Sequence, residues 1–143
     1  MPHKGRFEYK KLAKYPHLDR EDIITWEQFI NENPTAYNSV DYDFALGENK
    51  KATEMAQELG IPGAERVYKY RADVVGYRNN EIHIIELKKR ATPAVIGQVL
   101  ADVALWVRDY GNTPPVKAVV IARDATPEMD FLAASHNVFL IEV

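Results

Sequence analysis

The sequence has 143 residues, of which 46% are hydrophobic and 27% charged, and these proportions are ordinary for one globular domain with a buried core. It contains no cysteine, which excludes disulfides and thiolate zinc sites, and no apolar run approaches the roughly 20 residues of a membrane helix. We therefore expect a cytoplasmic protein with no membrane partner. The net charge of −3 is weak evidence against nucleic-acid binding, although the distribution of charge matters more than its sum.

The chain begins with a polar and basic stretch, residues 1–19, which we interpret as an N-terminal arm. A helix is predicted from Asp19 or Arg20 to about Asn33, because Asp19 is suited to cap it and acidic residues follow in the first turn. Its apolar stripe consists of Ile23, Trp26 and Ile30. The Pro that follows Asn33 ends the helix.

Three strands are predicted next. Residues 37–46 alternate between apolar and polar side chains, which is typical of a half-buried strand. Residues 67–77 and 81–88 form the second and third strands, joined by a short hairpin turn. The third strand is apolar on both faces, which indicates a central position in the sheet. Between the first two strands, residues 48–65 are interpreted as an insertion with a short helix over residues 51–59.

The C-terminal half alternates helices with strands. A helix is predicted to start at Thr92 as its cap, with Pro93 at the first helical position, and to run to about residue 108 or 110. A buried strand, a helix and a last strand follow over residues 116–122, 126–135 and 138–143. This final strand–helix–strand unit predicts parallel strands with a right-handed crossover. The predicted fold class is α/β, with a central mixed sheet of about five strands flanked by helices in one domain over residues 20–143.

Two acidic residues and a lysine stand where such a sheet would bring them together. Asp73 lies in the second strand, and Glu86 and Lys88 lie two residues apart at the end of the third, so these two leave the same face. The hairpin places Asp73 beside Glu86. Two carboxylates on adjacent strands can hold a hard divalent cation, and a nearby lysine can orient a water or stabilise a phosphate.

A solvated strand end or a simple salt bridge would also explain Glu86-Leu87-Lys88. Three features favour the metal site. The charges follow a strand that is apolar on both faces, Asp73 lies within another apolar run, and Gln98 is a polar residue within an apolar helix. We therefore predict a magnesium or manganese site for phosphodiester hydrolysis.

The spacing of these residues resembles a known signature. Asp73, twelve intervening residues, Glu86-Leu87-Lys88 and then Gln98 resemble the motif of the PD-(D/E)XK nuclease superfamily, which includes restriction endonucleases, Holliday junction resolvases and RecB-like nucleases. More narrowly, residues 84–90 with Gly97-Gln98 resemble RecB-like and NucS-type nuclease domains. The chain also resembles small uncharacterised proteins of phages and bacteria. Ala72 stands where the family has a proline.

The resemblance implies a restriction-endonuclease-like core and a set of roles. Asp73 and Glu86 would bind Mg²⁺ or Mn²⁺, the backbone carbonyl of Leu87 would be a further ligand, Lys88 would assist catalysis, and Gln98 would contact the site. Many members also use a glutamate of the first helix. We predict Glu27 for that role because it borders the apolar stripe, although it could instead face solvent; Glu48 is the alternative. Three basic residues could contact phosphates or simply be solvated: Arg71, Lys89 and Arg90.

The function expected from these residues is metal-dependent hydrolysis of DNA, as an endonuclease of repair, recombination or replication. Two alternatives stay open. One is a binding or assembly module that keeps the fold without catalysis, and the other is an RNA-processing nuclease. A chain of this length has little room for a separate recognition domain, so we expect a homodimer or a partner protein to take part in substrate selection.

Overall fold

The computed structural model describes residues 4–47, 58–60 and 70–143, and these form a six-stranded sheet with three helices. The predicted order of a helix, three strands, a helix, a strand, a helix and a strand is confirmed. Apart from residues 58–60, the predicted insertion and its helix lie outside the described residues. The elements, in chain order, are β1 (Phe7–Glu8), α1 (Arg20–Glu32), β2 (Ser39–Leu46), β3 (Tyr70–Tyr77), β4 (Ile82–Ala91), α2 (Ala94–Tyr110), β5 (Val116–Ala125), α3 (Met129–Ser135) and β6 (Val138–Glu142).

The strands lie in the sheet in their order along the chain. The first four are antiparallel neighbours, whereas β5 and β6 run parallel to β4 because α2 and α3 return the chain across the sheet. The mixed α/β fold with a parallel final unit is therefore confirmed. The carboxyl ends of β2, β4 and β5 lie at the same end of the sheet as the beginning of β3. Leu46 pairs with Tyr70 at this end. We call this the carboxyl end of the sheet.

The sheet has six strands rather than about five because β1 lies in the segment expected to be an arm. Its two residues pair with the start of β2. The Gly5 amide donates a hydrogen bond to Ser39 Oγ at 2.8 Å, and Arg6 Nε donates to Asp41 Oδ1 at 2.8 Å. A two-residue strand is too short to show an alternating pattern, so it cannot be predicted from periodicity. The division of the chain into an arm and one domain stays a prediction.

Helix α1 covers one face of the sheet. It begins at the predicted cap, where Asp19 Oδ1 accepts a hydrogen bond from the Asp22 amide at 2.8 Å. Trp26 and Phe29 are buried against the sheet, and Trp26 Nε1 donates to Tyr42 Oη at 2.9 Å. The predicted stripe residue Ile23 is only partly buried. Phe29 is buried in its place because the helix packs through the face that carries Trp26.

Helices α2 and α3 cover the opposite face. Ile84 packs with Trp106 of α2, whereas the next residue, Ile85, packs with the α1 cluster, as the alternation of side chains along a strand requires. The residues that α2 and α3 bury against β5 and β6 include Val95, Val99, Met129 and Ala133. The sheet is therefore sandwiched between helices, and the end of β4 lies between the two layers.

The predicted cap of α2 is wrong. The N-cap residue is Pro93, which forms no side-chain hydrogen bond, and Thr92 supplies only its backbone carbonyl, which accepts from the Val95 amide at 3.1 Å. Pro93 already has helical backbone angles, with φ −53° and ψ −28°, so the turn starts without a Thr92 side-chain bond. None of the described helices is long and apolar enough to cross a membrane.

Two glycines give a matched test of this packing. A Cβ on Gly76 would lie 2.5 Å from Tyr37 Cε1, and Tyr37 cannot easily shift because its hydroxyl is hydrogen-bonded to His83 Nδ1 at 2.8 Å. We expect Gly76→Ala to lower the free energy of unfolding by about 1–3 kcal/mol. The control is Gly97→Ala at an exposed position of α2, where an added Cβ would meet nothing within 4 Å. This variant should raise the free energy of unfolding by about 0.5–1 kcal/mol. Urea unfolding measures both, and a neutral Gly76→Ala would contradict the close contact.

Candidate metal and nucleic-acid site

Asp73 and Glu86 lie side by side at the carboxyl end of the sheet. Val74 pairs with Ile85, so Asp73 and Glu86 are the next pair along β3 and β4. Asp73 Oδ2 accepts a hydrogen bond from the Leu87 amide at 2.8 Å, which ties the Asp73 side chain to the neighbouring strand. Asp73 is half-buried and Glu86 is 1% exposed. The sequence therefore predicted correctly that the hairpin brings these two carboxyl groups together.

Burial dominates the electrostatics of the two acids. Loss of solvent raises the pKa of Asp73 and raises the pKa of Glu86 far above its usual range, because the charged form of each is poorly solvated. The contact between the two carboxyl groups adds to this for Glu86. Without a cation, two adjacent buried carboxylates repel each other, so the protein holds at least one proton here. A bound divalent cation would offset the repulsion between the two carboxylates.

Two further predicted residues reach this pair. Gln98 of α2 places its Nε2 3.5 Å from Glu86 Oε2. Lys88 is half-buried, and its positive charge acts to lower the pKa of Asp73, although burial is the larger effect. Four of the predicted residues are thus assembled at one place: Asp73, Glu86, Lys88 and Gln98.

Glu27, the acid of α1 predicted for this site, is hydrogen-bonded to Tyr15. Its Oε2 accepts a hydrogen bond from Tyr15 Oη at 2.7 Å. The acid of α1 that interacts with the site is Asp22, whose pKa burial raises to about 7, with the charge of Asp73 as the next contribution. Asp22 and Glu27 are five residues apart, which on a helix of 3.6 residues per turn puts them on different faces. The sequence pattern placed Glu27 beside the apolar stripe but could not show which side of the stripe faces β3.

A second acid was missed by the sequence analysis. Asp102 of α2 is 2% exposed, and it is close enough to Glu86 to raise the pKa of the Glu86 carboxyl group. Burial raises the pKa of Asp102. The signal was available in principle, because Asp102 is one helical turn beyond Gln98 and interrupts an apolar run. Within the described part of the chain, Glu86 Oε1 and Asp102 Oδ2 are buried without a hydrogen-bond partner.

The predicted basic residues differ in how available they are. Arg71 is occupied, because its Nε lies 2.8 Å from Asp43 Oδ1. Arg90 and Lys89 are exposed, and Arg90 Nε lies 3.6 Å from Asp124 Oδ2. The alternative acid Glu48 lies outside the described residues.

The donor set fits a hard cation. Carboxylate and carbonyl oxygens are the ligands that Mg²⁺ and Mn²⁺ prefer, and a buried Glu86 oxygen without a partner is in place to accept one. Among residues 4–47, 58–60 and 70–143, no three His, Asp or Glu side chains are arranged to hold a metal ion. A cation here would thus have two carboxylate ligands, Asp73 and Glu86, with the Leu87 carbonyl as the further ligand expected from the sequence, and water would complete its shell, as is common for Mg²⁺.

Comparison with known proteins supports the fold. The chain is similar to the EndoMS structure solved as a complex with double-stranded DNA, with a TM-score of 0.50 and 17% identity over 94% of this chain and 48% of that one. It is equally similar to a repair endonuclease from Pyrococcus abyssi, with a TM-score of 0.50 and 17% identity over 92% of this chain and 49% of that one. At this identity the likeness shows the fold alone, and the chain spans about half the length of both structures. No family model and no curated protein matches the sequence.

The raised pKa of Asp22 gives a pH dependence with a definite sign. Between its ordinary value of 3.8 and about 7, the folded protein keeps a proton that the unfolded chain has released. The free energy of unfolding of the metal-free protein should therefore decrease as the pH rises through this window. We expect the free energy of unfolding of Asp22→Asn to decrease less, because the asparagine amide does not titrate. Urea unfolding in EDTA from pH 4 to pH 7 measures both slopes.

Asp130→Asn on α3 is the matched control, since Asp130 is exposed and the variant removes the same charge. It should keep the wild-type slope. An Asp22→Asn slope as steep as that of the wild type would show that Asp22 is solvated and does not belong to this cluster.

Proposed function

We propose that this protein is a metal-dependent nuclease that hydrolyses phosphodiester bonds of DNA. The observation that carries the proposal is the pair of adjacent carboxyl groups on β3 and β4, buried yet at the end of the sheet, with Lys88 beside them. A carboxyl pair of this kind is costly without a cation, and its repulsion is relieved when a divalent ion binds. The likeness of the fold to two DNA endonucleases supports the choice of substrate.

Each residue has a task in such a reaction. Asp73 and Glu86, with the Leu87 carbonyl, would hold Mg²⁺ or Mn²⁺, which supplies positive charge that acidifies water and neutralises the phosphate. Lys88 would stabilise the negative charge that develops on the phosphate oxygens as water oxygen bonds to phosphorus and the leaving P–O bond breaks. The products are a phosphate monoester and a free hydroxyl group. Gln98 would steady the Glu86 carboxylate.

DNA is favoured over RNA because EndoMS was solved with double-stranded DNA. Endonuclease action in repair, recombination or replication is proposed on the same similarity. The non-catalytic module fits less well, because a binding surface would not need Asp73 and Glu86 to be buried against each other. A homodimer, or a partner protein that selects the substrate, stays a prediction, since two sites would serve a cut of both strands.

The first test of this function is metal dependence. Because Asp73 and Glu86 offer only oxygen ligands, EDTA should abolish cleavage of DNA, and Mg²⁺ or Mn²⁺ should restore it while Ca²⁺ should not. The substrates are single-stranded, duplex, flapped and four-way DNA, with RNA of the same sequence alongside. Gel analysis of products, with an Asp73→Asn preparation to control for contaminating nucleases, measures the outcome. Undiminished cleavage in excess chelator would refute the mechanism. A preference for RNA would refute DNA as the substrate and favour RNA.

The second test concerns Lys88. If its charge stabilises the transition state, Lys88→Ala should reduce kcat by roughly 10²-fold or more while KM changes little. The matched control is Lys89→Ala, because Lys89 is exposed and leaves the opposite face of β4. That variant should keep kcat and alter only substrate affinity. Single-turnover kinetics separate the two effects. Wild-type turnover by Lys88→Ala would show that Lys88 takes no part in catalysis and is only a solvated charge.

A further inference from the structure

Residues 4–18, which we call the basic segment, concentrate positive charge in a protein that is acidic overall. The segment contains five lysines and arginines and one acid, Glu8, whereas the net charge of the whole sequence is −3. The five cations are all exposed: Lys4, Arg6, Lys10, Lys11 and Lys14. Because the field near a surface depends on the local arrangement of charge, this segment can attract a polyanion that the net charge would repel.

The basic segment is fixed to the protein by its apolar side chains. Four of them are partly buried against the aromatic cluster under α1: Phe7, Tyr9, Leu12 and Leu18. Tyr15 is 6% exposed, and its hydroxyl donates to Glu27 Oε2 and accepts from the Leu12 amide at 3.0 Å. Because the lysines lie between these anchored residues, their backbone positions are set while their side chains face solvent.

Most of the positive charge of the segment is available to a ligand. Arg6 Nε lies 2.8 Å from Asp41 Oδ1, and Lys10 Nζ lies 2.9 Å from Glu8 Oε2, so these two cations already have partners. Within residues 4–47, 58–60 and 70–143, the other three form no ion pair: Lys4, Lys11 and Lys14. Each of the three can neutralise a phosphate group, with release of bound counterions, and no ion pair of the protein is lost.

The basic segment runs along the sheet toward the end that holds the carboxyl pair. It starts where the Gly5 amide donates to Ser39 Oγ at the beginning of β2. It ends at α1, and Thr25 Oγ1 in the first half of α1 accepts from Arg123 Nε at 3.1 Å at the carboxyl end of the sheet. Since β2 has eight residues, the segment spans roughly 24 Å at about 3.4 Å per residue. One strand of a DNA duplex places a phosphate about every 3.4 Å, so roughly seven phosphates fit this length.

We infer that the basic segment binds the phosphate backbone of the DNA whose cleaved bond lies at Asp73 and Glu86. The contact residues are Lys4, Lys11 and Lys14. The inference rests on the proposed function for the choice of DNA as the polyanion. Lysine contacts to phosphates fix the position of a nucleic acid without reading its bases, so this surface adds affinity and orientation and no sequence preference.

The test is the binding of a fluorescent DNA duplex at several salt concentrations, measured by anisotropy with Ca²⁺ in place of Mg²⁺ so that the DNA stays intact. Each phosphate contact that is lost should reduce the slope of log affinity against log salt by about 0.9, so the triple variant Lys4→Gln, Lys11→Gln, Lys14→Gln should reduce it by about 2–3. The control is Arg108→Gln, which removes a charge that α2 carries on the opposite face of the sheet and that is paired with Asp109 at 2.9 Å. This control should keep the wild-type slope.

The outcomes separate this inference from the proposed function. A wild-type slope in the triple variant would overturn the inference and leave the nuclease proposal intact. A reduced slope in a protein that cleaves no DNA with Mg²⁺ would support the surface and refute the nuclease. A larger loss of affinity for RNA of the same sequence than for DNA would assign the surface to RNA and overturn the choice of DNA.

Single substitutions keep the inference testable if circular dichroism shows that the triple variant is unfolded. Lys11→Gln and Lys14→Gln should each reduce the slope by about 0.9. Wild-type slopes in both single variants would overturn the inference.

Discussion

The antiparallel register between β3 and β4 is the constraint on which the whole site depends. With Val74 opposite Ile85, Asp73 and Glu86 lie side by side, and the Leu87 amide is in place to donate to Asp73. A shift of one residue would turn Glu86 to the other face of the sheet, toward the aromatic cluster under α1. The apolar residues that fill both faces of β4 prevent such a shift, because each would then meet the wrong layer. The packing of the core therefore sets the positions of the charged groups.

The same arrangement leaves the protein with a group of acids that stability alone would not favour. Burial raises the pKa values of Asp22, Asp73, Glu86 and Asp102. The charge of Lys88 offsets this only in part, and only at Asp22 and Asp73. The four acids come from four different elements, so no local change in the chain would remove them together. A fold can keep such a group only if the rest of its core, here two layers of helices on a six-stranded sheet, supplies a stability surplus.

The elements and the central residues could be predicted because they depend on local or regular patterns. Alternation along β3 and β4 and the spacing of Glu86 and Lys88 were sufficient to place the carboxyl pair. The position of Asp22 near Asp73 was not predicted, because it depends on the rotation of α1 about its axis, which the packing of Trp26 decides. Asp102 interrupts an apolar run in the sequence, but that interruption does not show which group across the layer it faces.

The pairing of Leu46 with Tyr70 has a consequence for where this fold can vary. The chain leaves the sheet and returns to it at neighbouring positions on the same end of the sheet as the carboxyl pair. As a general rule of chain closure, doubling the length of a connection between two fixed points costs only about 0.6 kcal/mol of entropy. Insertions and deletions between these two anchors can therefore accumulate over evolution while β2, β3 and the site keep their places. The surroundings of the carboxyl pair can therefore vary without a change in the pair itself.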